Sequence, residues 1–431
     1  MKTATFKFQP FSRKQLQVLT WWLDGSPVKD KEGIIADGAI RSGKTVSMSL
    51  SFVMWAMHTF NGQNFGMAGK TIQSLRRNVI KDLKKMLIGR GYVVDEKKQE
   101  NILVVAKGDR RNDFYLFGGK DERSQDLIQG ITLAGMFFDE VALMPESFVN
   151  QATGRCSIEG SKFWFNCNPG SPNHWFKLRW IDAAGEKGLI YLHFTMDDNL
   201  SLSEKMKARY RSLYAGVFFD RYIRGLWKVA EGLIYSTFTE ANLYDDTTRP
   251  QGLEYIAQRM ISCDYGTTNP CVYLDTYDDG ETIYFDNEYR WDSRSLEAQR
   301  TGQPQKTDAQ YVADMGVFMG NNPEFQCGII VDPSAASFIL ALRQAGFLVF
   351  PGDNEVKDGI RVCSTFFQLR RIMIHRERCK GLINELQAYV WDSKAALTGD
   401  ERPVKENDHA PDAMRYRINY LPNWRKGVYN G

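Results

Sequence analysis

A loop near the N-terminus has the residue types and the spacing that bind phosphate. Residues 38–45 read GAIRSGKT and fit G-x-x-x-x-G-K-[ST] at every fixed position. Gly38 and Gly43 let the backbone turn its N–H groups toward an anion. Lys44 can reach the β- and γ-phosphates, and the hydroxyl of Thr45 can bind Mg²⁺. An apolar run precedes the loop and a helical pattern follows it, which predicts a strand, a nucleotide-binding loop and a helix that begins at the anion.

Further residues in and before this loop are predicted to contact the same nucleotide. Ser42 belongs to the predicted phosphate-binding loop, and Arg41 can act as a γ-phosphate sensor or can simply be solvated. Upstream, residues 5–20 offer the rings of Phe6, Phe8 and Phe11 and the amide of Gln15. Adenine needs a flat apolar contact and a paired donor and acceptor, which this segment can supply. An amphipathic lead-in helix is the alternative interpretation.

An acidic pair and an amide follow two later strands. Residues 131–140, ITLAGMFFDE, predict a buried strand that delivers Asp139 and Glu140 at its carboxyl end. Asp139 can hold Mg²⁺ through water, while Glu140 can polarise an attacking water. Another predicted strand, in residues 162–170, leads to Asn168. This amide can sense the γ-phosphate or hold the catalytic water, and an Asn that caps a Pro-Gly turn is the alternative.

Three acids, far apart in sequence, follow strand or helix ends in the second half of the chain. Asp264 and Asp332 end apolar strands, and Asp412 lies in the first turn of a helix with Asp408 as its N-cap. Two Mg²⁺ or Mn²⁺ ions need shared oxygen ligands to clamp a phosphodiester, so these acids predict a two-metal site. His409 can serve there as a further ligand or as a proton carrier.

The composition is that of a globular protein with room for several domains. The 431 residues carry a net charge of only +3, so a nucleic-acid surface must be a local patch. The seven cysteines form no C-x-x-C pair, which argues against zinc. The N-terminus lacks the apolar core of a signal peptide, and no apolar run approaches the length of a membrane span. We therefore expect a reducing, cytoplasmic setting without a membrane partner.

Periodicity divides the chain into three predicted units. An α/β domain covers residues 1–200, a helical linker and connector cover 201–250, and a second α/β domain covers 251–431. The second domain has an antiparallel meander from Cys271 to Tyr289, and Glu288 at its end is a weaker candidate for the metal site.

One predicted helix, over residues 69–90, has an apolar face and a basic face. A basic face of this kind suits DNA phosphates, and a solvated surface helix is the alternative. Residues 102–119 after it predict a hairpin. The basic residues are Arg76, Arg77, Lys81, Lys84 and Lys85.

The order of these motifs resembles the large terminase subunit of tailed bacteriophages, an ATPase–nuclease that packages DNA into the procapsid. The resemblance spans nearly the whole chain. It rests on GAIRSGKT, MFFDE, FNCNPGSPNHWF, GLWKVAEGLIY, CDYG, IIVDPS and NDHAPDAMRY.

The resemblance implies a fold and a set of site residues. The fold is α/β, with an ASCE-type P-loop ATPase domain on a mostly parallel sheet and a ribonuclease H-like nuclease domain on a mixed sheet. Lys44, Thr45, Asp139 and Glu140 take the ATPase roles, and Asn168 falls at the coupling motif. The metal-binding acids of the nuclease are Asp264, Asp332 and Asp412, with His409 beside them.

The resemblance also implies ligands and partners. The cofactors are ATP with Mg²⁺, and Mg²⁺ or Mn²⁺ at the nuclease site. The partners are double-stranded viral DNA, the portal protein, the small terminase subunit and further copies of the chain, in a pentamer. We expect the protein in the host cytoplasm and transiently at the portal vertex, and not in the mature virion.

Two other function classes compete with a packaging motor. A DNA helicase needs a second ATPase-like domain after residue 250, where carboxylate-ended strands are predicted instead. A non-enzymatic nucleotide-binding protein does not need Glu140 beside Asp139. DNA-stimulated ATP turnover separates the non-enzymatic class from the others, and Mn²⁺-dependent endonuclease activity separates the motor from the helicase.

Overall fold

The structure, a computed structural model, describes residues 10–302, 304–320, 327–422 and 425–426. Two sheets organise this part of the chain. The first has eight strands in the order β3-β4-β5-β2-β6-β7-β1-β8. Its strands are β1 Gly33–Gly38, β2 Asn64–Gly69, β3 Val93–Lys97, β4 Ile102–Lys107, β5 Arg110–Gly118, β6 Gly135–Phe138, β7 Lys162–Asn166 and β8 Leu189–Phe194.

The first sheet is mostly parallel. Its only antiparallel pairings among the described strands join β3 to β4 and β4 to β5. The β4–β5 pair is the predicted hairpin. A π-helical turn, Arg76–Ile80, joins α3 to α4, so the predicted helix over residues 69–90 is one helical segment. The helices here are α1 Arg13–Thr20, α2 Lys44–Thr59, α3 Ile72–Leu75, α4 Lys81–Ile88 and α5 Glu146–Gly154.

Aromatic packing fixes α2 on the first sheet. The rings of Trp55 and Trp164 lie 4.9 Å apart, and those of Phe52 and Trp164 lie 5.3 Å apart. All three side chains are almost fully buried. Aromatic pairs at such distances add to the apolar burial that stabilises a core. Because α2 begins at Lys44, this packing also sets the position of the phosphate-binding loop.

The second sheet is mixed, in the order β14-β13-β10-β11-β12-β15-β9. Strands β10, β11 and β12 form the predicted antiparallel meander, and β13 pairs parallel to β10. The predicted fold class is therefore confirmed. The strands are β9 Leu243–Tyr244, β10 Gln258–Asp264, β11 Cys271–Asp278, β12 Ile283–Trp291, β13 Gly328–Val331, β14 Val349–Pro351 and β15 Ile372–His375.

Ten helices in the described residues belong to the linker or surround the second sheet. They are α6 Glu204–Ser212, α7 Gly216–Tyr222, α8 Leu253–Ile256, α9 Leu296–Arg300, α10 Asp308–Met319, α11 Ala336–Gln344, α12 Val356–Gln368, α13 Lys380–Ala388, α14 Ser393–Leu397 and α15 His409–Asn419. Among the described residues, no helix is both long enough and apolar enough to cross a membrane.

Short elements account for the differences from the sequence prediction. The apolar run at residues 255–257 predicts the beginning of a strand, but the structure has these residues in α8 and at the position after it. The sequence also predicts one helix over residues 358–372, but α12 ends at Gln368 and Ile372 already begins β15. A run of three or four apolar residues carries too little periodicity to separate helix from strand. The predicted domain limits at residues 200 and 250 stay a prediction.

The segment between the sheets contacts both of them. In the phosphate-binding loop, the Ile40 N–H donates to Tyr222 O over 2.8 Å. On the other side, Arg221 Nη1 donates to Glu401 Oε2 over 2.7 Å, and the two side chains are only 7% and 6% exposed. Glu401 also accepts from the Ala230 N–H. The Arg221–Glu401 ion pair therefore ties α7 to the C-terminal part of the chain.

Removing one partner of this ion pair should destabilise the protein strongly. Arg221→Met leaves Glu401 buried without its counter-charge, which costs about 3–5 kcal/mol. Chemical denaturation of the two proteins measures the loss. The control is Lys380→Ala, which breaks an exposed pair with Glu377 and should cost less than about 1 kcal/mol. Equal losses in the two variants would contradict the structural role of Arg221.

Candidate functional site

The phosphate-binding loop joins β1 to α2, in the predicted strand–loop–helix order. Gly38 has a φ of 123° and Gly43 a φ of 84°. A Cβ on Gly38 would lie 2.0 Å from the Phe194 carbonyl oxygen, so only glycine fits this position. The loop thus curls over the carboxyl end of β1 and presents the N-terminus of α2, where an anion is stabilised.

Lys44 is buried and contacts the loop that it follows. Its Nζ donates to the carbonyl oxygens of Gly38 and Ala39 over 3.0 and 2.7 Å, and to Ser42 Oγ over 3.2 Å. It also donates to Asn168 Oδ1 over 3.2 Å. Burial lowers the pKa of Lys44 to about 8. The structure therefore brings the predicted phosphate-binding lysine and the predicted sensor amide into direct contact.

Thr45 and the acidic pair lie together at the same edge of the sheet. Thr45 Oγ1 is 3.4 Å from Asp139 Oδ1. Burial, together with the charge of Glu140, raises the pKa of Asp139 to about 7. Burial also raises the pKa of Glu140. A hydroxyl beside a buried carboxylate is an oxygen donor set that fits Mg²⁺, so these residues fit the predicted cation.

Asn166 is a residue of this site that the sequence prediction missed. It ends β7 and is 2% exposed. Its Nδ2 donates to Asp139 Oδ1 over 2.9 Å, and its Oδ1 accepts from the Glu140 N–H over 3.2 Å. The signal available in the sequence was an amide at the last position of a predicted strand. The sequence analysis assigned the polar role at this edge to Asn168, which lies two residues later.

Gln15 lies against the loop. A Cβ on Gly43 would lie 2.2 Å from Gln15 Nε2. The Gln15 Oε1 accepts from the Ser12 N–H over 2.9 Å, as part of the capping box of α1. The acceptor that was expected to pair with adenine is therefore engaged within α1, and base recognition by Gln15 stays a prediction. Phe6 and Phe8 lie outside the described residues.

Arg41 points toward the linker. Its φ is 56°, and its guanidinium lies 5.3 Å from the ring centroid of Tyr210 on α6. Its carbonyl oxygen accepts from Asn199 Nδ2 over 2.7 Å. Arg41 is thus exposed yet in contact with an aromatic ring. Its role as a γ-phosphate sensor stays a prediction.

The second group of predicted acids lies at one edge of the mixed sheet. Asp264 ends β10 and Asp332 follows the parallel neighbour β13. The hydroxyl of Tyr416 donates to Asp332 Oδ2 over 2.8 Å and lies 3.5 Å from Asp264 Oδ1. His409 Nδ1 is 3.0 Å from Asp264 Oδ2. Parallel pairing of β10 and β13 therefore brings together residues that are far apart in sequence.

Asp412 joins this edge from α15. Its Oδ1 forms an ion pair with Arg415 Nη2 over 2.8 Å. Burial raises the pKa of Asp412, although the charge of Arg415 acts to lower it. Burial also raises the pKa of Asp264, and the charge of Asp412 adds to that rise. The two carboxylates are thus close enough to repel each other electrostatically.

The pKa values of His409 and Asp332 are shifted in the directions that favour the charged forms of the two side chains. Burial opposes protonation of His409, but the hydrogen bond and the charge of Asp264 raise its pKa overall. Burial acts to raise the pKa of Asp332, but the Ser334 N–H and the Tyr416 hydroxyl lower it overall. The His409 ring therefore faces Asp264 as a partial counter-charge.

The carboxylates fit a divalent cation by their chemistry. Asp264, Asp332 and Asp412 offer only oxygen ligands, and Asp412 Oδ1 is a buried oxygen beside Arg415 Nη2. Across the described ranges, however, no three His, Cys, Asp or Glu side chains are already arranged around one metal position. Because Asp412 Oδ1 is paired with Arg415, we expect this carboxylate to turn toward the other two when it binds a shared cation.

Two predictions near Asp412 concern the cap of α15 and Glu288 as a candidate metal ligand. Asp408 stands at the N-cap of α15, but its side chain makes no capping hydrogen bond. Glu385 on α13 accepts from the Ala410 N–H over 2.7 Å instead. Glu288 accepts from the Leu382 N–H and pairs with Arg290. Tertiary contacts thus cap α15, and Glu288 is engaged by α13 and Arg290.

The basic face of the segment from α3 to α4 is partly neutralised. Glu96 on β3 accepts from Arg76 Nε over 3.0 Å and from Lys84 Nζ over 2.9 Å. Lys85 pairs with Asp82. Two acids, Glu96 and Asp82, therefore offset part of the charge of the five basic residues, and contact of this patch with DNA stays a prediction.

Comparison with known proteins identifies the family. The family model "Terminase large subunit, T4likevirus-type, N-terminal" matches residues 35–242. No curated protein matches the chain. The solved large terminase of a thermophilic bacteriophage is 54% identical, with a TM-score of 0.88, and the match covers 96% of this chain and 99% of that chain.

Two further structures of the same thermophilic phage terminase, in complex with ligands, match equally broadly. Its complex with ADP is 52% identical, with a TM-score of 0.85, and the match covers 96% of this chain and 99% of that chain. Its complex with ATP-γ-S is 52% identical, with a TM-score of 0.84, and the match covers 95% of this chain and 99% of that chain. Identity of this level over nearly the whole length agrees with the motif order, and the chain belongs to the large terminase subunit family of bacteriophages.

Proposed function

We propose that the protein is the motor subunit of viral DNA packaging. ATP hydrolysis drives double-stranded DNA into the procapsid, and an endonuclease cuts concatemeric DNA when packaging begins and ends. The observation that carries the proposal is the contact of Lys44 and Thr45 with Asn168 and Asp139 at the first sheet. A separate group of acids on the second sheet supplies the nuclease. The ADP and ATP-γ-S complexes of the thermophilic phage relative support ATP as the nucleotide.

The ATPase residues divide the chemistry among them. The loop N–H groups and Lys44 bind the phosphates, and Thr45 and Asp139 hold Mg²⁺, which neutralises phosphate charge when bound. Glu140 is the general base for the attacking water. Burial raises the pKa of Glu140, which makes its carboxylate a better proton acceptor.

Substitution of the lysine and of the base should separate binding from hydrolysis. Lys44→Ala should abolish nucleotide binding or turnover, because the phosphates lose their buried counter-charge. Glu140→Gln should keep binding but slow hydrolysis by at least about a hundredfold, the usual contribution of a general base. Binding of a fluorescent ATP analogue and single-turnover hydrolysis measure the two effects. Hydrolysis by Glu140→Gln at the wild-type rate would show that another group is the base.

We further propose that Asn168 couples hydrolysis to movement. Its amide contacts Lys44, so a change at the γ-phosphate reaches it directly. The turn that follows is tied to both neighbouring units. Gly170 O accepts from the Lys228 N–H of the linker, and Asn173 Nδ2 donates to Ala396 O at α14. A shift of Asn168 can therefore move the linker and the C-terminal unit.

Asn168→Ala should leave ATP binding within about threefold of wild type, since Lys44 keeps its loop partners, while DNA translocation fails. The measurement pairs nucleotide affinity with packaging of linear DNA into purified procapsids. Ser201→Ala, at an exposed position, is the control and should package normally. Parallel loss of binding and packaging in Asn168→Ala would indicate a folding role instead.

For the nuclease we propose that Asp264, Asp332 and Asp412 hold two Mg²⁺ or Mn²⁺ ions. Such ions, when bound, stabilise the attacking and leaving oxygens of the phosphodiester. Tyr416 and His409 orient the carboxylates of Asp332 and Asp264. Because these groups address the phosphodiester and not a base edge, cleavage should show no sequence preference.

Loss of each acid should abolish DNA cutting and spare ATP hydrolysis. Asp264→Ala, Asp332→Ala and Asp412→Ala should all fail to nick plasmid DNA with Mn²⁺, while DNA-stimulated ATPase activity survives on the other sheet. His409→Ala should retain more cutting than any of the three, because it removes an orienting partner and not a shared oxygen ligand. An Asp332→Ala protein that nicks plasmid as fast as wild type would refute the assignment.

The proposed partners follow from the same role. They are double-stranded viral DNA, the portal protein, the small terminase subunit and further copies of this chain, in a pentamer. The protein would act in the host cytoplasm, transiently at the portal vertex, and leave before the virion matures. Membership of the large terminase family supports this set.

A further inference from the structure

Asn166 occupies the central position of the ATPase edge. It ends β7, and β7 lies between β6, which leads to the acidic pair, and β1, which leads to the phosphate-binding loop. The register pairs Ala36 of β1 with Asn166 and Phe138 of β6 with Phe165. Its side chain therefore projects between the two halves of the nucleotide site.

One amide contacts three residues of that site. Asn166 Nδ2 is 2.9 Å from Asp139 Oδ1 and 3.5 Å from Thr45 Oγ1. Asn166 Oδ1 accepts from the Glu140 N–H over 3.2 Å. The residue is 2% exposed, so water offers no easy replacement for these partners. The amide thus joins both predicted Mg²⁺ ligands to the backbone of the predicted base.

The Glu140 N–H fixes which way the amide points. A backbone N–H can only donate, so it must face the oxygen of Asn166 and not its NH₂ group. The nitrogen is then directed at Asp139 and Thr45. With Asp139 Oδ1 held in this way, the other carboxylate oxygen is the one that can turn toward a cation.

The same hydrogen bond holds an unusual backbone turn. Glu140 has a φ of 56° and a ψ of 46°, in the left-handed region. A non-glycine residue there costs on the order of 1 kcal/mol and persists only when its surroundings fix it. Asn166 supplies one such constraint, since it binds the N–H of the turning residue itself. The turn determines where the Glu140 carboxylate lies.

We infer that Asn166 is the positioning residue of the ATPase, which sets Asp139 and Glu140 in register with the phosphate-binding loop. This inference rests on the proposed ATPase function. It separates the two amides at the end of β7: Asn166 aligns the groups that perform the chemistry, whereas Asn168 contacts Lys44. Asn166 acts through Glu140 and Asp139 and does not itself touch the nucleotide in this account.

A double-mutant cycle in the full-length protein tests the inference. Asn166→Ala should slow single-turnover ATP hydrolysis by at least about tenfold, because the base is no longer aligned. Residues that act as one unit are non-additive. The double variant Asn166→Ala with Glu140→Gln should therefore hydrolyse ATP within about threefold of Glu140→Gln alone. Multiplication of the two losses in the double variant would overturn the inference, and so would a wild-type rate in Asn166→Ala.

A buried amide elsewhere in the same core is the matched control. Asn112 is 1% exposed and its side chain bonds to backbone groups around Ala56, Phe60 and Gln63. Asn112→Ala should lower the thermal midpoint but keep the single-turnover rate of the folded protein within about twofold. A rate loss in Asn112→Ala as large as that in Asn166→Ala would overturn the specific role of Asn166.

A second variant keeps the test decisive if Asn166→Ala does not fold. Asn166→Asp preserves the shape and the acceptor for the Glu140 N–H but places an oxygen against Asp139. It should bind ATP within about threefold of wild type and hydrolyse it at least about tenfold more slowly, and a wild-type rate would overturn the inference. If Glu140→Gln alone hydrolyses ATP at the wild-type rate, Glu140 is not the base, and the inference about Asn166 is then wrong as well.

Discussion

The parallel pairing of β6, β7 and β1 is the constraint on which the ATPase site depends. Backbone hydrogen bonds fix the register of these strands, so their carboxyl ends lie side by side. Each strand then delivers one component: the acidic pair, the amides or the phosphate-binding loop. The aromatic packing of α2 against β7 stabilises the loop at that edge, because the rings of Trp55 and Trp164 are in contact and buried.

In the second sheet, parallel pairing likewise brings distant residues together, here acids and not a phosphate-binding loop. Parallel pairing of β10 and β13 brings Asp264 and Asp332 to one edge, and Tyr416 of α15 contacts both. Burial and the charge of Asp412 raise the pKa of Asp264, and a bound cation would relieve that cost of ionisation. Asn173, in the turn after Asn168, donates to Ala396 O, and Arg221 of the linker pairs with Glu401, so both segments contact the C-terminal part of the chain.

The sequence predicted the parts of the molecule that depend on local patterns. The phosphate-binding loop, the strand before Asp139 and the meander that begins at Cys271 were all readable from glycine spacing and apolar runs. What it missed depends on tertiary contacts. Glu385, and not Asp408, caps α15, and Glu96 neutralises Arg76. A periodic pattern does not show which residues of another element a side chain contacts. Asn166 could be recognised only by its position at the end of a predicted strand, and its contacts with Asp139 and Glu140 could not be predicted.

Anomalous diffraction from crystals grown with Mn²⁺ and ATP-γ-S can locate the metal ions at both edges. We expect one manganese peak beside Thr45 and Asp139 and further peaks between Asp264, Asp332 and Asp412. We also expect that Asp412 has turned from Arg415 to reach the metal, since the two groups are paired in this structure. Manganese bound at only one of the two edges, or coordinated by other side chains, would contradict an account in which one chain carries an ATPase and a separate two-metal nuclease.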